Sequence, residues 1–504
     1  MTEQGFGKMI EAEKLIGSAE GQLLLRAEAL VPGAGREEVE VLLADAICRL
    51  MKTEVQSDRV IMEGEVKCQA AYRLGSEKNA KALTAKAVMS HIFDVKGAVS
   101  GMRSISDARV EDVTARYENG HMMFDIALSV SAQVSALTPI EVLTEADVRD
   151  GLEVNTEEIT SVKTAAENSA VVIVSDKTAL PASLDARYAI MEWAAASDMD
   201  YTPEPGGIRV TGSVFVETLV SGGLSSRPAA LIKYTLPVDK FMEMPEWLVG
   251  NITLDAQVLG VSTEVDSVMD MGDSTLRMEA EVEITARAAY TDRVKAVTDV
   301  FSADDRDVSA EENVFEICAA KSVIDVKEPF RASVLLPEGA GAVGAVCAVK
   351  TRASVADVRT ENGKSLISGI VNAQVIYMPQ SGEKLMSAKG DLPFEIPLAA
   401  PLSDNSLVRV EALNAEGSAL MSDRVEVKCV LNVKADKTER EEKRTVSKIE
   451  EAGENKRRKG CVIVWPKNGD DAWSVAKRYR VPVEEVKNAS EDGVSAGNPI
   501  VLRI

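Results

Sequence analysis

The feature that most constrains the fold is a long alternating strand, centred on a glycine, that occurs three times. The copies are Asp58–Tyr72, Gly206–Val220 and Lys364–Met378, and in each the apolar residues fall on one face. Alternation with a period of two is typical of a strand with one buried face. An apolar residue followed by proline precedes the glycine by 31 or 32 residues in every copy. This spacing predicts three divergent copies of one all-β domain, since the period is far longer than a solenoid unit.

Two further landmarks recur after each glycine in the same order. The first is a short strand, at Ile92–Val95, Thr235–Val238 and Pro393–Ile396. The second is a closing alternating strand, at Met123–Val134, Leu276–Ala286 and Arg424–Val433. The predicted fold class is therefore mostly β and multidomain, with three repeated sandwich- or barrel-like modules of about seven short strands each.

The composition fits a chain with several packed cores and limits its partners. The chain has 504 residues, of which 45% are hydrophobic and 4% aromatic, and its formal net charge is −23. Such acidity argues against nucleic acid or an anionic membrane as the main partner, because both bind basic faces. The N-terminal residues lack the apolar segment of a signal peptide, and no run of about 18 apolar residues occurs. We therefore expect a cytoplasmic protein that is not transmembrane.

Composition and landmarks divide the chain into seven segments. They are module 1 at 1–137, a connector with a lead-in strand at 138–178, module 2 at 179–289, a connector at 290–329, module 3 at 330–435, a charged linker at 436–459 and a small unit at 460–504. The linker is rich in Lys, Arg, Asp and Glu without apolar periodicity, so it is predicted to be a flexible tether. Its basic end, Lys456–Lys459, is either a solvated linker end or a small anion site.

Few residues have the pattern of a catalytic, cofactor or metal site. His91 and His121 lack metal-ligand spacing, and the six cysteines include no CxxC pair, so reduced thiols are expected. Gly339–Gly344 matches GxGxxG but leads into an alternating strand, where a dinucleotide site needs a helix. The acid pairs Asp304-Asp305 and Asp470-Asp471 lie in acidic loops without a flanking apolar pocket. No catalytic residue, cofactor or metal is predicted, and an enzyme is not expected.

Two tryptophans of the second module are candidate protein contacts. Trp247 follows Phe241–Met244 in a predicted loop, and Trp193 follows Glu192, in a chain with few aromatic residues. Exposed tryptophan is frequent at the centre of protein interfaces. The alternative for Trp247 is that it covers the β core of its own module.

The segment 460–504 is predicted to be a separate strand–helix–helix–strand unit. Asp470 is placed as the N-cap of the first helix, and Pro482 begins the second. The pattern NGDDAWSVAKRYRVPVEEVKNAS…AGNPIVLRI resembles a LysM domain. Asp471 and Ser490 stand where the LysM pattern has Thr and Asn.

The LysM resemblance implies a ligand groove between two loops. LysM domains commonly bind N-acetylglucosamine chains in peptidoglycan or chitin, and Trp473 is expected in the core. Transferred onto this sequence, the groove residues that would take a glycan or a protein partner are Gly469, Asp470, Asp471, Ala472, Ala489, Ser490, Glu491, Asp492 and Gly493.

The three modules resemble the SPOCS domains of spore-forming Firmicutes, and the whole arrangement resembles the SipL family. The resemblance rests on the apolar-proline start, the glycine-centred strand, the strand after it and the C-terminal unit. It implies a non-enzymatic structural adaptor in endospore formation, in the mother cell at the forespore surface. The implied partners are the stage-IV spore coat morphogenetic ATPase, contacted through LysM, and other coat proteins. The alternatives are a peptidoglycan-binding cell-wall protein and a hydrolase hidden in one module.

Overall fold

The computed structural model describes residues 8–34, 38–75, 77, 79–224, 227–267, 274–304, 306–382, 384–454, 460–490 and 493–503. Module 1 contains β1 (Lys8–Leu30), β2 (Val39–Gln56), β3 (Arg59–Leu74), β4 (Lys81–Asp94), β5 (Arg103–Glu118) and β6 (His121–Val142). Module 2 contains β7 (Leu152–Ala179), β8 (Ala189–Glu204), β9 (Gly207–Leu224), β10 (Arg227–Glu243), β11 (Ile252–Ser267) and β12 (Ser274–Ser302). Module 3 contains β13 (Arg306–Leu335), β14 (Val343–Glu361), β15 (Lys364–Pro379), β16 (Met386–Leu398), β17 (Val408–Met421) and β18 (Arg424–Glu454).

A small C-terminal unit and three short 3-10 turns complete the described structure. The C-terminal unit contains β19 (Cys461–Val464), α1 (Ala472–Tyr479), α2 (Val483–Ala489) and β20 (Ile500–Arg503). The 3-10 turns are Glu145–Asp147, Ala182–Leu184 and Glu246–Leu248.

Each module consists of two three-stranded antiparallel sheets. In module 1 the strand orders are β1-β6-β5 and β2-β3-β4. Modules 2 and 3 repeat them as β7-β12-β11 with β8-β9-β10, and as β13-β18-β17 with β14-β15-β16. Each module has its own apolar core, to which strands of both its sheets contribute. The prediction of a mostly β, multidomain fold is confirmed, with six long strands per module instead of a larger number of short ones.

The repeated glycine lies opposite a β-bulge in every module. Gly64, Gly212 and Gly369 lie in β3, β9 and β15, where the preceding strand shifts register. A Cβ atom on Gly64 would lie 2.5 Å from the carbonyl oxygen of Arg49, and one on Gly369 would overlap that of Ser354. A bulge bends its strand and alters the ladder locally, and here it brings backbone too close for any side chain. The landmark that reveals the repeat is therefore a packing requirement of the fold.

The first and last strands of each module continue past the sandwich as a two-stranded ribbon. β1 pairs with β6 as far as Lys8 and Val142, β7 with β12 as far as Leu152 and Ser302, and β13 with β18 as far as Arg306 and Glu454. The segments predicted as connectors, 138–178 and 290–329, are therefore largely strand. Alternation alone does not show where a sandwich ends and a ribbon continues, because both have a period of two.

The predicted flexible tether is wrong over Asp436–Glu454, which forms the second half of β18. Its charged side chains make pairs across modules, such as Lys443 with Glu157 at 2.7 Å. Val446 is 1% exposed in a small apolar cluster that takes one buried residue from each module. Backbone pairing with β13 and these contacts offset the entropy cost of ordering the segment. Its composition alone does not reveal them. The basic end, Lys456–Lys459, lies outside the described residues.

The three modules form a closed ring around a common axis. Gln69 of module 1 donates to the backbone carbonyl of Glu192 in module 2. Gln374 of module 3 bonds both the N–H and the carbonyl of Ala44 in module 1, at 3.1 and 2.9 Å. The two glutamines occupy corresponding positions, five residues after the repeated glycine. In both contacts the strand with the repeated glycine meets the second strand of another module, so the modules are arranged head to tail.

Contacts between modules 2 and 3 close the ring. Lys327 pairs with Asp198 at 2.6 Å, and Lys233 donates to the carbonyl of Ala415 at 2.7 Å. Two apolar clusters take residues from all three modules. One contains Leu42, Leu43, Ala71, Ala80, Ile190, Met191, Trp193, Leu219, Ala229, Ala348, Ile376, Met378 and Leu385. The other, between the ribbons, contains Ile10, Ala12, Ile140, Val142, Ile159, Val294, Ala296 and Ile317.

Candidate functional site

The C-terminal unit has the predicted strand–helix–helix–strand order, with a cap one residue later than predicted. Asp471, not Asp470, is the N-cap of α1: its carboxylate accepts the N–H of Ser474 at 2.7 Å. The Ser474 hydroxyl in turn accepts the N–H of Asp471 at 2.8 Å. Asp470 instead makes a two-bonded pair with Arg478 at 2.6 and 2.9 Å, and these bonds lower the pKa of Asp470 to about 2.

Asp471→Ala is expected to destabilise the C-terminal unit by about 1 kcal/mol, because the N–H of Ser474 loses its acceptor. Asp471→Ser retains a hydroxyl acceptor at the cap and should restore most of that stability. Amide hydrogen exchange of α1 measures the difference. Equal exchange rates in the Ala and Ser variants would show that the cap contributes nothing.

The predicted groove residues lie at the start of α1 and at the end of α2, where Ala472 is the first residue of α1 and Ala489 the last residue of α2. Gly469 is exposed with φ +89°, and Ala472 is half-buried against the core of the unit. At the end of α2, Ala489 is exposed, Ser490 donates to the carbonyl of Val486 at 2.9 Å, and Gly493 has φ +80°. Two further predicted residues, Glu491 and Asp492, lie outside the described part of the chain. Gly469 and Ala489 are both exposed, so a ligand could reach each of these places.

The C-terminal unit docks on the three-module body through α1. Trp473, predicted as core, is half-buried and meets the ring of Phe301 edge-on, with centroids 5.0 Å apart. Phe301 lies at the end of β12 and is 5% exposed within the core of the C-terminal unit. The sequence does not predict this contact, because the pattern of 290–329 indicates a connector. The signal for it is the last apolar residue of an alternating run, just before the acidic turn.

Trp247 lies on the surface of module 2 in the turn Glu246–Leu248. Its side chain is 68% exposed and meets the ring of Tyr290 edge-on, with centroids 5.3 Å apart. The neighbouring Leu248 is 3% exposed and covers the core. Of the two alternatives for Trp247, the exposed position is therefore the observed one. Trp193, in contrast, is buried where the three modules meet.

A central cavity of about 340 Å³ lies between the modules, lined by residues of all three. Three of these occupy corresponding positions, each opposite the residue five places after the repeated glycine: Asp45, Trp193 and Lys350. Lys350 pairs with Asp45 at 3.3 Å and lies over the Trp193 ring, 5.1 Å from its centroid. Arg352 also pairs with Asp45. Burial raises the pKa of Asp45, but the charges of Lys350 and Arg352 lower it more, so the net pKa lies below its usual range.

A second set of corresponding positions contains two acids and one base. Asp107 of β5, Asp255 of β11 and Arg409 of β17 line the same cavity. Arg409 pairs with Asp107 at 3.5 Å and also with Asp255. Burial raises the pKa of Asp255, but the charge and hydrogen bond of Arg409 lower it more, to about 2. Divergence of the repeats has thus made equivalent positions complementary in charge. Strand pairing shows this correspondence, whereas an alignment on the glycine does not, because Asp107 and Asp255 follow it by 43 residues and Arg409 by 40.

The remaining candidate residues lie in local packing or turns. His91 stacks edge-on with Phe93 at 4.4 Å, and a ring nitrogen of His121 lies 3.3 Å from the carbonyl oxygen of Asn119. The glycine-rich loop before β14 leads into a strand, as its alternation predicts. Asp304 bonds Arg306 at 2.7 Å; its neighbour Asp305 is not among the described residues.

Three features are absent from the described residues. No disulfide joins the six cysteines. No group of three or more His, Cys, Asp or Glu residues in that part of the chain is placed to hold a metal ion. None of its helices has the length and apolarity needed to cross a membrane.

A comparison with protein families identifies two segments of the chain. A family model described as SipL, SPOCS domain matches residues 39–118 and 342–404. These segments cover β2 to β5 of module 1 and β14 to β16 of module 3. No curated protein and no solved structure matches the chain. Module 2 lies outside the match but has the same strand order and the same bulge opposite its glycine. The two matched segments are therefore similar to the SipL SPOCS domain, and this similarity supports a relation of the chain to SipL-like sporulation proteins.

Proposed function

We propose that this chain is a non-enzymatic structural adaptor in endospore formation. It would link coat proteins and the stage-IV spore coat morphogenetic ATPase at the forespore surface of the mother cell. The observation that carries the proposal is the fixed position of the C-terminal unit on a closed ring of SPOCS-type modules. A rigid body that holds binding loops in place loses little conformational entropy on binding, which suits a protein that brings partners together.

Two surfaces are the proposed contacts. The LysM-type groove, formed by the segments at 469–472 and 489–493, would bind the ATPase. Trp247 would contact a coat protein, because its exposed ring is anchored by a buried neighbour, Leu248. A large aromatic side chain on a rigid turn is typical of interface hot spots.

Peptidoglycan is the alternative ligand of the same groove, and one observation favours it. Asp471 replaces the usual Thr of the LysM pattern, which by itself suggests a repulsive charge in the loop. In the structure its carboxylate caps α1, a role that Thr also performs. The substitution therefore does not count against a glycan as the ligand of this groove.

Affinity purification from sporulating cells tests the proposal. The full chain should be compared with a chain ending at Glu454, which retains all of β18, whereas an end at Asp436 would remove half of the third ribbon. We expect the ATPase to co-purify with the full chain. The amount of ATPase recovered with the truncated chain should be at least about tenfold lower.

Two matched point variants separate the groove from the rest of the C-terminal unit. Ala489→Arg adds a large cation to the groove, whereas Ile463→Arg adds the same charge at a side chain 62% exposed on the small sheet. Only Ala489→Arg should reduce ATPase recovery. If neither the full chain nor the chain ending at Glu454 recovers the ATPase, and the full chain instead binds purified peptidoglycan, the adaptor proposal fails in favour of the glycan alternative.

A further inference from the structure

One face of α1 is occupied by a segment of the chain's own body. Trp473, Lys477 and Arg480 follow at helical spacing, so their side chains lie on one side of the helix. Asp299 and Phe301 of β12 face them, two residues apart and therefore on one face of an extended strand. The contact thus joins a helix face to a short Asp-x-Phe segment.

The contact has the chemistry of specific recognition. The carboxylate of Asp299 accepts four hydrogen bonds, one from the backbone N–H of Val300 at 2.9 Å and three from α1, namely the Trp473 indole at 2.9 Å and the Lys477 amine at 2.6 and 2.7 Å. Two of these bonds are charge-assisted on both sides, which makes them stronger than neutral ones. Phe301 inserts its ring beside Trp473 and is 5% exposed. Arg480 adds a pair with Asp307 at the start of β13.

The backbone of β12 is irregular where it presents this segment. The ladder between β12 and β7 shifts register between Val297 and Asp299, which marks a bulge just before the acidic residue. Bulges re-aim side chains at the ends of sheets. Here the shift precedes the two residues that contact α1.

We propose that this face of α1 is a binding site for an extended peptide segment of the form Asp-x-aromatic, filled in the resting chain by Asp299–Phe301. A partner that offers the same acidic and aromatic pair would displace the internal segment and release the C-terminal unit from the ring. The internal segment has an effective concentration in the millimolar range, so it masks the site against weak external ligands. This inference extends the proposed adaptor but does not depend on which partner the groove binds.

A peptide titration of the full chain tests the proposal. The probe is a fluorescently labelled peptide of residues 297–303, VTDVFSA, and the readout is its anisotropy. In the variant Asp299→Asn with Phe301→Ala the internal segment is disabled and the site is open. We expect this variant to bind the peptide at least about tenfold more tightly than the unmodified chain does. Adding Trp473→Ala to the variant should abolish the gain.

Two controls keep the outcome interpretable. Asp299→Asn alone is a milder change that leaves Phe301 in place, and it should give an intermediate affinity with an unchanged circular dichroism spectrum. A peptide with Asn in place of its Asp should bind the open variant at least about tenfold more weakly. Equal affinity of the open variant and the unmodified chain, or no binding to the open variant at millimolar peptide, would overturn the proposal.

Discussion

Replacing Arg409 by methionine is expected to lower the free energy of unfolding by about 3 kcal/mol, because two partly buried acids, Asp107 and Asp255, lose a cation that they share. Asp107 keeps its pair with Arg109. Arg409 is the one base in a set of three corresponding positions, and it pairs with Asp107 and Asp255 of the other two modules. Methionine has a similar length, so the change removes charge with little loss of volume. Chemical unfolding of the full chain at neutral pH measures the effect.

The pH dependence of this variant provides a sharper test than its stability alone. In the unmodified chain the pKa of Asp255 is about 2, below that of an unfolded aspartate. The stability it contributes is therefore present above about pH 4 and is lost as the pH falls toward 2. Without Arg409 this pKa should rise toward that of an unfolded aspartate, because the largest favourable charge is gone while Arg109 and Arg287 remain nearby. The variant should then lose less stability than the unmodified chain as the pH falls from about 5 toward 2.

A surface pair supplies the matched control. Arg26 is 77% exposed and pairs with Asp125 at 2.9 Å within module 1. Arg26→Met makes the same chemical change away from the axis and should cost less than about 1 kcal/mol. Equal losses in the two variants, or identical pH slopes for Arg409→Met and the unmodified chain, would contradict the role of the central charges.

Gly369→Ala is expected to destabilise module 3 by about 3 kcal/mol, because the added methyl group has no space. Its Cβ atom would overlap the carbonyl oxygen of Ser354 in the bulge of β14 and lie 2.5 Å from the ring of Phe394. Both neighbours are packed strand residues, so relief requires a shift of the sheet. Thermal or urea unfolding of the full chain measures the loss.

Gly260 is a matched control for this substitution. It also lies in a strand beside a register shift, but its nearest neighbour for a Cβ atom is the Glu281 carboxylate at 3.9 Å. Gly260→Ala should be neutral or slightly stabilising, since alanine restricts the unfolded chain. If both glycine variants lose the same stability, the bulge does not explain the repeated glycine.

The sequence predicts the modules well because their landmarks are local. The glycine, the proline and the alternating strands each report a requirement within one sheet, and all three copies show them at similar spacing. The ring cannot be predicted from such local patterns, because its contacts involve single residues, such as Asp45 and Lys350, that are far apart along the chain. One charged residue on a strand does not differ in sequence from a solvated one. Only the glycine-based alignment places such residues at corresponding positions.

The C-terminal unit shows the same limit at its site. Its four elements follow from helix and strand periodicity, and only the cap at Asp471 differs from the prediction by one residue. The prediction of a flexible tether is wrong because composition indicates only that a segment cannot build a core of its own. It does not show whether the segment has a partner strand, and β13 is that partner for Asp436–Glu454. The docking of Trp473 on Phe301 joins residues 172 apart in number, and no local pattern reports such a contact.

Small-angle X-ray scattering of the full chain in solution tests the central claim most directly, namely that three modules close into one ring and hold the C-terminal unit on it. The account predicts a scattering curve that the compact ring with its docked unit reproduces without any rearrangement. The contacts of Arg409, Gln69 and Gln374 across modules require that arrangement. A curve that fits only separate modules in an extended row would contradict the account.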